Sequence, residues 1–286
     1  MIVGISELRY SVSYFWVRYK KNKLAVVGIA VVVILIGISI LADVVAPYKP
    51  LNMVGDPLEP PFGKFIFGTD ELGRDLYSRI VWGIQTSLIV GLMAAVIATC
   101  IGILIGSIAG YFGGKIDEAF NLLIQLFLVI PAFILALIIT ATFGRNIWNI
   151  VLAISVVMWT TTARLARAEF LSLKERDFVL ASLAVGERKV KIIFSEILPN
   201  AMPPIIVNTM LTVAHAIIVE SGISFLGMGD PLRPSLGRML FDAMRIYHLG
   251  WWTAVFPGIA LVFLIMSMNL MGDGLNEALN PRLRQG

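Results

Sequence analysis

The sequence is poor in charge, cysteine and histidine. Only 15% of its 286 residues are charged, Cys100 is the only cysteine, and there are two histidines. A single cysteine excludes a disulfide scaffold, and the sequence has no His, Cys or carboxylate spacing typical of a metal site. It also lacks a Gly-x4-Gly-Lys-Ser/Thr phosphate loop. Any process driven by nucleotide hydrolysis would therefore need another chain to bind and hydrolyse the nucleotide.

Apolar residues, by contrast, make up 58% of the chain, and the mean hydropathy is +0.84. Soluble domains are about 45–50% apolar, so this composition indicates a membrane protein. A spanning helix needs roughly 20 apolar residues, and helices satisfy their own backbone hydrogen bonds in hydrocarbon. We predict an all-α membrane protein with six transmembrane helices, at residues 24–42, 86–110, 119–143, 146–163, 203–226 and 251–271.

The basic residues fall unevenly on the two sides of such a bundle. With the N-terminus inside, 15 of the 23 lysines and arginines lie on the cytoplasmic side. This asymmetry predicts a multi-pass protein of the cell membrane, in contact with the lipid bilayer, with both termini in the cytoplasm. The net charge of +4 is explained by orientation, so we expect no nucleic acid partner.

We divide the chain after its long first connector. Residues 1–85 would contain an interfacial helix at 5–19, the first span and an outer loop, and residues 86–286 would form a five-helix core. After the charged string at the end of the outer loop we predict a helix capped by Thr69 or Asp70.

The second predicted span carries glycine at every fourth position, at Gly102, Gly106 and Gly110. This spacing removes the side chains from one face of a helix. It predicts that another helix packs closely there, and it does not indicate a binding site.

The cytoplasmic loop at residues 164–200 has no proline or glycine before Gly186 and is rich in strong helix formers. We predict a helix, a reversal at Gly186 and a further helix, with Pro199 or Pro203 beginning the fifth span. An exposed amphipathic helix either lies on lipid headgroups or enters a groove on a soluble partner. The residues alone leave both alternatives open.

This loop resembles the signature of binding-protein-dependent ABC importer permeases, in which Glu-Ala-Ala is followed after three residues by Gly and later by Ile-x-Leu-Pro. Here residues 180–182 read Leu-Ala-Ser, Gly186 follows at the family spacing, and Ile197-Leu198-Pro199 closes the pattern with the isoleucine one place nearer the Leu-Pro than in the family. The family glutamate is replaced by Leu180, which puts a role for that carboxylate in doubt.

Two further strings are similar to those of the second permease subunit of dipeptide, oligopeptide and nickel importers. They are FGTDELGRD at residues 67–75 and ESGISFLGMGDPLRPSLGRML at 220–240, and the ending GDGLNEALNPR is similar as well. The resemblance therefore covers almost the whole chain and implies the type I ABC importer permease fold.

The resemblance also implies the partners. They would be a second homologous permease subunit, two cytoplasmic ATPase subunits that carry ATP and Mg, and an external substrate-binding protein, while this chain binds no cofactor and is not itself an enzyme. A coupling helix between the fourth and fifth spans would enter an ATPase groove, and the residues implied there are Glu175, Arg176, Asp177, Phe178, Ala181, Ser182 and Gly186.

The implied cargo is short peptides, with nickel chelates or oligosaccharides as alternatives. A different class of function is a homodimeric secondary transporter, which would normally carry ion-coupling carboxylates or broken helices at the midplane.

Five other residues are candidates for contacts. His215 and Glu220 are the ionisable groups inside a predicted span, and we expect them at the substrate path or gate, with a packing role as the alternative. Asp70, Arg74 and Arg233 are candidates for contact with the binding protein, although a solvated or self-paired capping cluster is the simpler explanation for the first two.

Overall fold

The computed structural model describes residues 16–279, which form helices and loops with two isolated β-bridges and no β-strand. The predicted interfacial helix lies largely outside the described residues, although residues 16–19 are helical. The helices are α1 Lys23–Ile40, α2 Ala42–Val45, α3 Leu76–Phe112, α4 Gly114–Val129, α5 Ala132–Phe143, α6 Ile147–Leu173, α7 Asp177–Ala184, α8 Lys189–Met228, α9 Leu236–Ala243 and α10 Trp252–Leu279.

Five of these helices (α1, α3, α6, α8 and α10) are each long and apolar enough to cross a membrane. The third predicted span differs from the prediction because it is broken into α4 and α5, which meet at an angle of 82°. The break falls at Ile130 and Pro131, where proline removes a backbone donor and disfavours helical geometry in the residue before it. The bundle has six spans if this bent pair counts as one.

The glycine stripe of α3 faces α6, as predicted. A Cβ at Gly102 would lie 2.6 Å from Cβ of Thr162, and one at Gly110 would lie 2.7 Å from Cβ of Phe170. Real Cβ atoms do not approach so closely, so the two backbones touch only because these positions lack side chains.

The start of α3 differs from the sequence prediction. The helix begins at Leu76, and its cap is Asp75, whose carboxylate accepts hydrogen bonds from the backbone N–H of Ser78 at 2.9 Å and from its hydroxyl. The prediction of Thr69 or Asp70 as the cap was wrong because both side chains are engaged within the outer loop. Residue 85, where we divided the chain, lies within α3.

The fifth span also begins earlier than predicted. Helix α8 is continuous from Lys189, and Pro199 and Pro203 lie inside it. Residues Ile192–Ile197 form a π-helical turn directly before Pro199. This wider turn accommodates the proline ring, which would clash with the carbonyl of residue 195 in a regular α-helix.

The beginning of α1 and the end of α10 lie at the same end of the bundle. The side-chain oxygen of Asn22 caps α1, and its Nδ2 donates to Oε2 of Glu277 at 2.9 Å. Gly28 of α1 packs against Leu270 of α10, where an added Cβ would lie 2.7 Å from the leucine Cβ.

Candidate functional site

Helix α7 projects from the bundle between α6 and α8. Gly186 ends the segment in a left-handed conformation, with φ +79°, which only glycine adopts without strain. Within α7 the only buried side chain is Val179. The large apolar side chains of this segment that remain exposed are Phe178, Leu180, Leu183 and Val185.

Val179 fixes α7 to the rest of the protein. It belongs to a buried cluster that includes Phe170 at the end of α6 and Ile192 and Ile197 at the beginning of α8. All four side chains are fully buried, so α7 is packed against the junction of two long helices.

The structure brings the seven predicted coupling residues together in this segment. Ser182 is half-buried, and its hydroxyl donates to the carbonyl of Phe178 at 3.2 Å. The other six are exposed: Glu175, Arg176, Asp177, Phe178, Ala181 and Gly186. The loop is therefore a helix and a turn, as predicted, and it presents these side chains outward.

A cluster of charged residues lies at the beginning of α3. Because α3 has 37 residues, this cluster is about 55 Å from the end of the same helix. We call it the charge cluster, and its members are Asp70, Glu71, Arg74, Arg79, Arg238 and Asp242. It joins the outer loop to α3 and α9.

Asp70 is the centre of the charge cluster. Its carboxylate accepts from the backbone N–H groups of Leu72 and Arg74, from Nε of Arg74 at 2.6 Å and from Nη1 of Arg79. The residue is 2% exposed, so its carboxylate orders the loop and offers no surface to another protein. The expectation that Asp70 itself contacts a binding protein does not agree with this burial.

The second acid of the charge cluster comes from a distant part of the chain. Asp242 accepts from Nε of Arg238 at 3.1 Å and from Nη2 of Arg79 at 3.3 Å. Burial raises the pKa of Glu71, the third acid. Sequence reasoning missed the roles of Arg79 and Asp242, which lie just beyond the strings 67–75 and 220–240 and belong to no pattern that connects them.

Glu220 and His215 occupy different environments. Glu220 is 1% exposed and accepts from the hydroxyls of Ser224 at 2.7 Å, Ser87 at 3.1 Å and Ser221 at 3.4 Å. These contacts hold α8 to α3, which is the packing role that the sequence left open. His215 is exposed on α8. Within residues 16–279 no group of three or more His, Cys, Asp or Glu could hold a metal ion.

Comparison with known proteins identifies the family. Residues 102–285 match the family described as the binding-protein-dependent transport system inner membrane component. The chain belongs to this family. Residues 12–61 match the N-terminal transmembrane domain of oligopeptide transport permease C. This inner membrane component is therefore a multi-pass permease subunit, as the sequence predicted.

Several relatives cover nearly the whole chain. The dipeptide transport system permease protein DppC of Escherichia coli is 39% identical, over 95% of this chain and 93% of the relative. DppC of Alkalihalophilus pseudofirmus is 37% identical, over 93% and 88%. The oligopeptide transport system permease protein OppC of Bacillus subtilis is 34% identical, over 94% and 88%.

The fold of this inner membrane component resembles that of a solved structure. It is similar to a chain of the inward-facing MetNI methionine ABC transporter, with a TM-score of 0.59 and 18% identity over 72% of this chain and 98% of that chain. This similarity confirms the predicted all-helical type I ABC importer permease fold.

Proposed function

We propose that this chain forms half of the translocation path of an ATP-driven importer of short peptides. Its partners are a second homologous permease subunit, two cytoplasmic ATPases that bind ATP and Mg, and an external binding protein that delivers the substrate. Both termini and α7 face the cytoplasm in this proposal. Peptide is the proposed cargo because relatives that cover more than nine-tenths of the chain are named for dipeptide and oligopeptide transport.

The observation that carries the proposal is the packing of α7. An isolated eight-residue helix is marginal in water, yet α7 is fixed at Val179 and exposes Phe178, Leu180 and Leu183. A helix with an anchored face and an apolar exposed face fits a groove on a partner protein. The mixed charges of Glu175, Arg176 and Asp177 match a protein surface better than anionic lipid.

In the proposed mechanism α7 is the coupling helix. ATP favours the closed ATPase pair, and closure draws the two coupling helices together. Because Val179 packs between α6 and α8, movement of α7 shifts the ends of both spans. The bundle then changes from inward-open to outward-open, and hydrolysis returns it; ATP drives this cycle only through its different affinity for the two states.

Transport and ATP hydrolysis by the purified complex test the proposal. Gly186→Val forces a β-branched residue into a left-handed turn, and Ala181→Asp places a charge on the exposed face of α7. Both variants are expected to lose most peptide uptake while the complex still inserts. Ala181→Ser is the matched control, because it keeps the side chain small and uncharged, and it should transport normally.

Composition of the complex gives a second readout. A second permease and an ATPase pair should co-purify with the wild-type chain. Normal uptake by both Gly186→Val and Ala181→Asp would refute the coupling role. A lone homodimer that responds to ion gradients would instead support a secondary transporter.

A further inference from the structure

A cavity of about 140 Å³ opens beside the charge cluster, and Arg74, Arg79, Arg233 and Arg238 are among the residues that line it. We call it the arginine notch. We propose that the arginine notch receives a carboxylate side chain of the external binding protein. This inference rests on the proposed function, because it requires a binding protein that docks at this end of the bundle, and it gives that partner a site and a chemistry.

The acids near the arginine notch are already engaged. Asp70 accepts two backbone N–H groups and bonds from Arg74 and Arg79, and Asp242 accepts from Arg79 and Arg238. Glu71 lines the cavity too, and its carboxylate accepts from Nη2 of Arg74 at 3.4 Å. Four guanidinium groups therefore lie beside three carboxylates, and this surplus of positive charge attracts an anion.

Arg233 retains unused donors that an incoming side chain can reach. Arg233 is exposed at the rim of the notch and forms no ion pair with any residue between 16 and 279. Nε of Arg79 has no hydrogen-bond partner in the same part of the chain, but protein atoms enclose it, so Arg79 contributes its charge to the notch and no donor to a ligand. Guanidinium groups present several N–H donors in a planar fork that matches the two oxygens of a carboxylate.

The rim that carries Arg233 is held in place before any ligand arrives. Pro231 and Pro234 restrict its backbone. The carboxylate of Asp230 accepts from the backbone N–H of Leu232 at 2.8 Å and of Ile147 at 3.1 Å, which ties the loop to the beginning of α6. A preorganised site loses less conformational freedom on binding.

The size of the cavity favours a side chain over the transported peptide. At about 30 Å³ per water molecule, 140 Å³ holds roughly four or five waters. A carboxylate on a short stem fits this space, whereas a peptide of several residues is larger than it.

The test is a titration of purified binding protein against the assembled transporter in lipid vesicles, with binding-protein-stimulated ATP hydrolysis as the readout. Arg233→Glu should raise the half-maximal concentration of binding protein about tenfold at low salt, and this shift should shrink at high salt. Arg245→Glu is the matched control: Arg245 is also exposed near α9 but lies over the ring of Phe241 outside the notch, so its titration should be unchanged. One Asp→Lys or Glu→Lys substitution on the binding protein should restore the affinity of Arg233→Glu.

Three results would overturn the inference. Superimposable titrations for wild type and Arg233→Glu would remove the role of the arginine notch while leaving the proposed function intact. A changed half-saturating peptide concentration with an unchanged binding-protein titration would assign the notch to the cargo. If the wild-type complex showed no stimulation by a binding protein at all, the proposed function would fail, and the inference with it.

Discussion

Removing the buried contact of α7 should release this helix from the bundle. Val179→Ala deletes two methyl groups from a fully buried side chain. At about 0.8 kcal/mol per buried methylene-sized group, plus a cavity term, the expected loss is about 2 kcal/mol. Because Val179 is the only buried residue of α7, this loss falls on the contact between α7 and its support.

A loss of about 2 kcal/mol reduces the ratio of packed to unpacked α7 roughly 30-fold, since each 1.4 kcal/mol is a factor of ten. Amide hydrogen exchange of residues 177–184 in the detergent-purified chain measures this ratio. Leu183→Ala is the matched control: it removes more atoms from the same helix, but Leu183 is 43% exposed, so exchange should change much less. Equal exchange in Val179→Ala and wild type, or a larger effect of Leu183→Ala, would refute the reasoning.

Three further changes test other parts of the fold. Gly106→Val should lower the free energy of unfolding by about 1–3 kcal/mol, because an added Cβ would lie 2.8 Å from the facing alanine side chain of α6. The midpoint of thermal unfolding measures this loss. Gly37→Val is the control and should have a milder effect, since an added Cβ there meets no atom within 4 Å. Arg79→Met should lower the free energy of unfolding by about 3–5 kcal/mol, because it removes a partner of the buried carboxylate of Asp70. Lys49→Met is the control and should cost about 1 kcal/mol or less, because its ion pair is exposed. The denaturation midpoints of the two variants check this order. Glu71 binds a proton more tightly in the folded protein, so stability should fall as pH rises from its ordinary pKa through its raised one, and Glu71→Gln should flatten that slope in thermal unfolding measured across pH.

Local patterns in the sequence predicted much of the fold. Runs of apolar residues locate spanning helices because burial in lipid depends on composition over a window of residues. The glycine repeat of α3 predicted a close helix contact for a similarly local reason. The exposed helix at α7 and the turn at Gly186 followed from helix propensity and from the conformation that glycine permits.

Other features depend on contacts between distant parts of the chain. Arg79 pairs with Asp242, 163 positions away, and no periodicity in the sequence connects them. Helix α3 begins ten residues before the apolar run in which we began the span, and Arg79 in this extension is paired with Asp70 and Asp242. The sequence shows Pro131, but it lies within an uninterrupted apolar run, and so we predicted one continuous span there.

The structure gives the proposed coupling segment and the arginine notch a continuous physical connection. Helix α8 begins three residues after Gly186 and runs for 40 residues to Met228, about 60 Å at 1.5 Å per residue. It ends in a π-helical turn with Gly227 at φ +82°, directly before the loop that carries Arg233. Glu220 and its serine partners hold that end of α8 against α3, whose own beginning lies in the charge cluster. Helix α8 contains a π-helical turn and prolines near α7, but it joins both ends of the bundle, so in the proposed function a movement of α7 would reach the contacts near the notch through α8. A partner bound at either end would then favour the bundle geometry that it binds more tightly, and the coupling between the two ends would be reciprocal.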